Sequence, residues 1–138
     1  MSDQLVRDAM VPEPLALESS ASAREAGEAL SRPEVRAVLV CEDGRLAGVI
    51  TRKTLVSEVV AAGRDPERTT LGEIMERPLA TIDSRMGLDR AFAFLEERDL
   101  ERVPVVEDGK LVGVLSRSVV QRRLAEDEPP SEPVAADY

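Results

Sequence analysis

Two dipeptides carry the residue types of an anion site, Thr51-Arg52 and Ser116-Arg117. Each closes a β-rich run and opens a stretch of helical pattern, which places the hydroxyl at a helix N-terminus. Unpaired backbone N–H groups and the helix dipole favour an anion there. The arginine that follows adds a charge-assisted donor. The same residues also read as ordinary N-caps followed by a solvated arginine, and residue type alone leaves both readings open. Means for catalysis are few. The chain has no histidine, which removes Ser-His-Asp and Cys-His mechanisms and imidazole metal sites. A single cysteine, Cys41, excludes an intrachain disulfide and thiolate clusters. It ends the apolar run Val38-Leu39-Val40-Cys41 and reads as a small buried hydrophobe. The acids of Glu42-Asp43-Gly44 and Glu107-Asp108-Gly109 read as turn residues, because one turn supplies too few oxygens for a metal. No paired catalytic constellation emerges, so an enzyme is not expected.

Composition narrows the partners. The 138 residues hold 18 Lys+Arg against 27 Asp+Glu, a net charge of −9, with only three aromatics. A nucleic-acid surface normally needs a basic patch and stacking rings, and an anionic membrane repels such a chain. No segment approaches the roughly 20 apolar residues of a membrane span, and Met1–Asp8 lacks signal-peptide order. A cytoplasmic protein of one compact domain is expected. The charge is unevenly placed. Residues 126–138 hold five acids, three prolines and no base, the composition of a disordered tail, which leaves −4 on residues 1–125.

The chain repeats itself at an offset of 65 residues. Arg36–Arg52 and Glu101–Arg117 share nine of 17 positions, and most of the rest are close replacements. A duplication of this kind outweighs any local motif. Each copy holds two β-rich runs around an acidic-glycine turn, the pattern of an antiparallel hairpin. Upstream, Ala23, Ala26, Gly27 and Leu30, and again Leu88, Ala91, Phe92 and Leu95, take helical spacing. Ser22-x-x-Glu25 supplies a capping box for the first of these helices. Downstream, helices begin at Thr51 and Ser116, and the first stops at Gly63, a left-handed cap. Lead-ins Val6–Met10 and Gly72–Met75 pass through proline-containing turns into short extended segments, Leu15–Glu18 and Leu79–Asp83. The pattern predicts an α/β (α+β) fold of two β-α-β-β-α units. The expected divisions are 5–63, a connector at 64–70, 71–125, and the tail at 126–138.

These motifs resemble the cystathionine β-synthase (CBS) domain family. Its pattern runs from Met-x-x-Pro through a helix to a hairpin ending in Gly-h-h-[ST]-R, where h is apolar. The second copy matches at Met75, Pro78, Val103-Pro104-Val105, Gly109, Gly113, Ser116 and Arg117. The first matches at Met10, Val38-Leu39-Val40, Gly44, Gly48, Thr51 and Arg52. The resemblance implies a Bateman module, with two repeats packed sheet to sheet about a pseudo-two-fold axis. It also implies a homodimer formed through helices and a regulatory role toward a separate, unidentified protein.

The family's clefts bind adenosine ligands such as AMP, ATP or S-adenosylmethionine. The positions matching its pocket are Ala37-Val38-Leu39 and Arg102-Val103-Pro104, with Thr81 and Ile82 in the second lead-in strand. Thr51, Arg52, Ser116 and Arg117 match its anion positions. Two departures bear on this. The family's ribose-binding aspartate is replaced by Thr54 and Val119, and Leu39 stands where the second repeat keeps Pro104. Losing a charged acceptor costs roughly 1.5–3 kcal/mol per hydrogen bond. The expectation is therefore a standalone ligand-sensing module for an adenosine-type or other anionic ligand. The alternative is a ligand-independent homodimerising module whose nucleotide site has lapsed.

Overall fold

The computed structural model describes residues 3–12, 14–78 and 80–127. The first repeat starts with the short helix α1 (Val6–Ala9) and strand β1 (Val11–Pro12). Then come β2 (Ala16–Glu18), α2 (Ala23–Leu30), β3 (Val38–Glu42), β4 (Arg45–Ile50) and α3 (Arg52–Leu55). The second runs α4 (Leu71–Ile74), β5 (Ile82–Asp83), α5 (Leu88–Glu97), β6 (Arg102–Glu107), β7 (Lys110–Ser116) and α6 (Arg117–Asp127). Glu126 and Asp127 thus close α6 rather than open the acidic segment. Residues 128–138, the rest of the expected tail, lie outside the described residues.

Local chemistry accounts for most of these elements. Asp43-Gly44 and Asp108-Gly109 take positive φ at both turn positions, 53° and 80°, then 52° and 83°. That backbone matches the twist of the β3–β4 and β6–β7 hairpins, and aspartate and glycine tolerate it. Ser22 caps α2 by accepting the Glu25 N–H at 3.2 Å. The apolar stripes are buried as spaced: Ala23, Ala26 and Leu30 on α2, and Leu88, Ala91 and Leu95 on α5. The helix beginning at Thr51 is not regular throughout. Over Val56–Val60 it widens into a π turn, with Ala61 N–H bonded to the Val56 carbonyl and Arg64 N–H to that of Val59. Gly63 ends it at φ 72°.

The strands form one mixed sheet in the order β2-β3-β4-β7-β6-β5, with β1 added to β7. The two halves meet where Arg45 pairs with Lys110. These residues are 65 apart, so the pseudo-two-fold axis passes between them. The expected two sheets are therefore joined edge to edge at the hairpin ends.

The lead-ins cross over. α1 belongs to the first repeat in sequence but packs in the core of the second, where Val6 and Ala9 lie among Ile82, Leu88, Ala91 and Leu95. α4 does the reverse, with Leu71 and Ile74 among Ala23, Ala26, Leu30 and Val38. Backbone bonds fix the exchange in matched pairs. Val6 N–H bonds the Met86 carbonyl and Leu71 N–H that of Ala21; Leu88 N–H bonds Gln4 and Ala23 N–H bonds Thr69. Farther along, Val11 pairs with Val114 and Glu76 with Val49. Each pair maps onto the other by the 65-residue offset.

Glycine makes the crossing possible. A Cβ on Gly48 would lie 2.6 Å from the Met75 sulfur, and one on Gly113 2.6 Å from the Met10 sulfur and 2.8 Å from the Val11 carbonyl oxygen. Overpacking a tight contact costs about 1–3 kcal/mol. Gly113→Ala should destabilise by about that much in urea unfolding. Gly48→Ala should cost a similar amount, because the Met75 Cβ, which moves only with its backbone, would lie 2.8 Å from the added carbon.

Candidate functional site

Strand alternation divides the hairpin residues between two faces. Val38, Val40 and Ile50 enter the first core, and Val105 and Leu115 the second. Leu39 pairs with Val49 across the first hairpin, and Pro104 with Val114 across the second. All four residues line one cleft of about 480 Å³. Its walls come from both crossing segments, with Val11, Pro14 and Leu15 from one and Pro78 and Ala80 from the other. Position-matched pairs, including Leu15 with Ala80 and Val35 with Leu100, give the cleft the pseudo-symmetry of the chain. Among the described residues, three charged side chains stand among the apolar ones: Glu34, Arg36 and Arg102.

The residues singled out from sequence scatter. Ala37, Leu39, Arg102, Val103 and Pro104 line the cleft. Val38 and Ile82 are buried in the two cores, and Thr81 is exposed and not among the lining residues. Thr51, Arg52, Thr54, Ser116 and Arg117 line none of it.

Their actual partners explain this. Thr51 Oγ1 accepts the Thr54 N–H at 3.3 Å, and Thr51 N–H is donated to Thr54 Oγ1 at 3.2 Å. The two hydroxyls lie 3.1 Å apart. Thr54 is fully buried. It satisfies the helix start instead of facing a ligand. Ser116 likewise accepts the Val119 N–H at 3.3 Å. Arg52 donates to the Arg32 carbonyl at 2.9 Å. Arg117 lies between two carboxylates, 3.5 Å from Asp99 and 3.3 Å from Glu101. The first repeat has Arg36 where Glu101 stands, so Arg52 finds no such acid pair.

Arg36, Leu15, Val35 and Val49 were not legible as site residues. Period-2 alternation with the core positions Val38, Val40 and Ile50 is the signal that reaches Val49; Arg36 is visible only as a charge reversal within the repeat. Cys41 is buried, and burial together with the Glu18 carboxylate pushes its thiol above the ordinary value. This suppresses the thiolate a nucleophile needs.

Residues 6–61 and 71–126 each match the family model of the CBS domain. The chain belongs to the CBS domain family. This CBS pair is similar to Hypoxic response protein 1 of Mycobacterium tuberculosis, with 29% identity over 102 residues that span 73% of this chain and 71% of that protein. Among solved structures it is similar to Hypoxic Response Protein I with two coordinated zinc ions. That match has a TM-score of 0.73 and 26% identity, and covers 86% of this chain and 98% of the other. It is also similar to CBSX2 in complex with AMP, with a TM-score of 0.70, 28% identity, and coverage of 88% and 96%. Among the described residues of this CBS pair, no group of three or more Asp, Glu, Cys or His side chains could hold a metal. No helix among them is long and apolar enough to cross a membrane.

Thr54→Val should cost about 1–3 kcal/mol in urea unfolding, because it strands the Thr51 N–H beside a buried methyl. Thr54→Ser keeps the hydroxyl and should recover most of that loss.

Proposed function

We propose that this CBS pair is a regulatory module that binds an adenosine-type nucleotide in the shared cleft and passes its occupancy to a partner protein. CBS pairs are generally regulatory and non-catalytic. The observation that carries the reading is the cleft itself: about 480 Å³, largely apolar, and walled by both repeats and both crossing segments. A pocket of that size with few polar groups is the usual form of a small-ligand site. Leu39 and Pro104, one from each repeat, would give a flat base apolar contacts. The AMP complex of CBSX2, at 28% identity, supports the choice of ligand class. Because the walls belong to both repeats, a ligand there would tie them together, which gives occupancy a mechanical consequence. The proposed setting is the cytoplasm.

The second reading is a homodimerising interaction module whose cleft no longer binds nucleotide. Thr54 favours it, since its hydroxyl is committed to Thr51, and so does Val119, which offers no acceptor. Thermal unfolding in the presence of AMP, ADP, ATP and S-adenosylmethionine separates the two. A ligand at 100 times its Kd should stabilise the fold by about 2.7 kcal/mol. Unchanged melting with every ligand at millimolar concentration would overturn the sensing reading.

Both readings include a homodimer. Val56 and Val60 support it: they stand one turn apart on the π segment and are 59% and 74% exposed. Light scattering after size exclusion should give twice the chain mass for the wild type and the chain mass for Val60→Asp. A monomeric wild type would contradict the dimer.

A further inference from the structure

We propose that the cleft is also the docking site of the chain's own C-terminal segment, residues 128–138, which competes there with the ligand. Docking rests on the composition of the cleft and of the segment, and only the competition rests on the nucleotide reading above. The cleft wall is open: Val11 and Leu15 both line it, yet they are 63% and 40% exposed. Large apolar side chains left facing water in a concave site mark a surface that something covers.

The segment has the chemistry to cover it. Residues 128–138 read Glu-Pro-Pro-Ser-Glu-Pro-Val-Ala-Ala-Asp-Tyr. Proline-rich chain is held extended, a form that lies in apolar grooves with little further loss of freedom. Val134, Ala135, Ala136 and the Tyr138 ring supply apolar contacts. Three acids and no base give the segment a charge of −3. Among the described lining residues, Arg36 and Arg102 outnumber Glu34, a net charge of +1. The two surfaces are therefore opposite in sign.

The segment also reaches. Arg102 pairs with Ser116 across the second hairpin, so α6 starts beside the cleft. The 11 residues of α6 carry the chain about 16 Å away, at about 1.5 Å per residue. Extended chain covers about 3.3–3.6 Å per residue, so a return over that distance takes about five residues. Pro133–Tyr138, the apolar end of the segment, remains to lie in the cleft. A tether this short sets an effective concentration in the millimolar range, so weak contacts suffice to fill an empty site. A ligand must then displace the segment, and its apparent affinity falls with the fraction of clefts left open.

The chain has one tyrosine and no tryptophan, so its intrinsic emission reports Tyr138. Acrylamide should quench that emission about two- to threefold less in the native chain than in a free peptide of residues 128–138. Leu15→Glu places a carboxylate in the apolar wall at an exposed position, where the fold tolerates it. This variant should restore peptide-like quenching. Equal quenching of native chain and peptide overturns the proposal. So does protection that Leu15→Glu leaves intact, which places the segment elsewhere, or protection that grows with chain concentration, which places it on a second copy. In isothermal titration, truncation after Asp127 should tighten AMP binding by about two- to threefold, and an unchanged affinity overturns the competition. Failure of both forms to bind AMP overturns the nucleotide reading alone, because docking is decided by the Tyr138 emission.

Discussion

The structure depends on the exchange of lead-ins between the repeats. Neither copy completes its own core: α1 fills the second and α4 the first. The crossing chains pass directly over the sheet at Gly48 and Gly113, where any side chain would strike the methionine of the other repeat. Val6, Leu71 and Leu88 are fully buried by this arrangement. Each such side chain is worth about 1.5–3 kcal/mol of burial, so separating the repeats would forfeit a large share of a domain's net stability. The crossing also builds the cleft, because the segments that leave one repeat for the other become its walls.

Much of the fold was legible from sequence. The 65-residue repeat, the acidic-glycine hairpins, the Ser22 cap and the buried stripes of α2 and α5 all follow from spacing and turn chemistry. The exchange was not. Val6, Ala9 and Met10 match Leu71, Ile74 and Met75 in pattern, and both cores have the same pattern too. An apolar lead-in of this kind suits either repeat equally well, so the pattern alone cannot choose between them. The π turn over Val56–Val60 was likewise invisible, since its residues are ordinary helix or strand formers.

The site was legible in part for a similar reason. Leu39, Val103 and Pro104 were reached through the family's pocket positions; strand alternation puts Leu39 and Pro104 on the cleft face, while Val103 is also buried in the second core. The direction of an arginine depends instead on partners distant in sequence. Arg52 and Arg117 occupy matched positions after matched hydroxyls, yet they bond different groups. The reason lies 16 residues upstream, where one repeat has Arg36 and the other Glu101. A duplicated frame keeps its backbone while single charge changes make its two halves unequal. Here the second half neutralises its own arginine, and the first leaves Arg36 for the cleft.

The central claim is that one ligand contacts both repeats through their exchanged segments. Amide hydrogen exchange with and without saturating AMP tests it most directly. The account predicts slowed exchange around Val11–Leu15 and Glu76–Ala80 together, along with the β3 and β6 amides. Protection confined to one repeat, or none despite binding, would contradict a shared cleft.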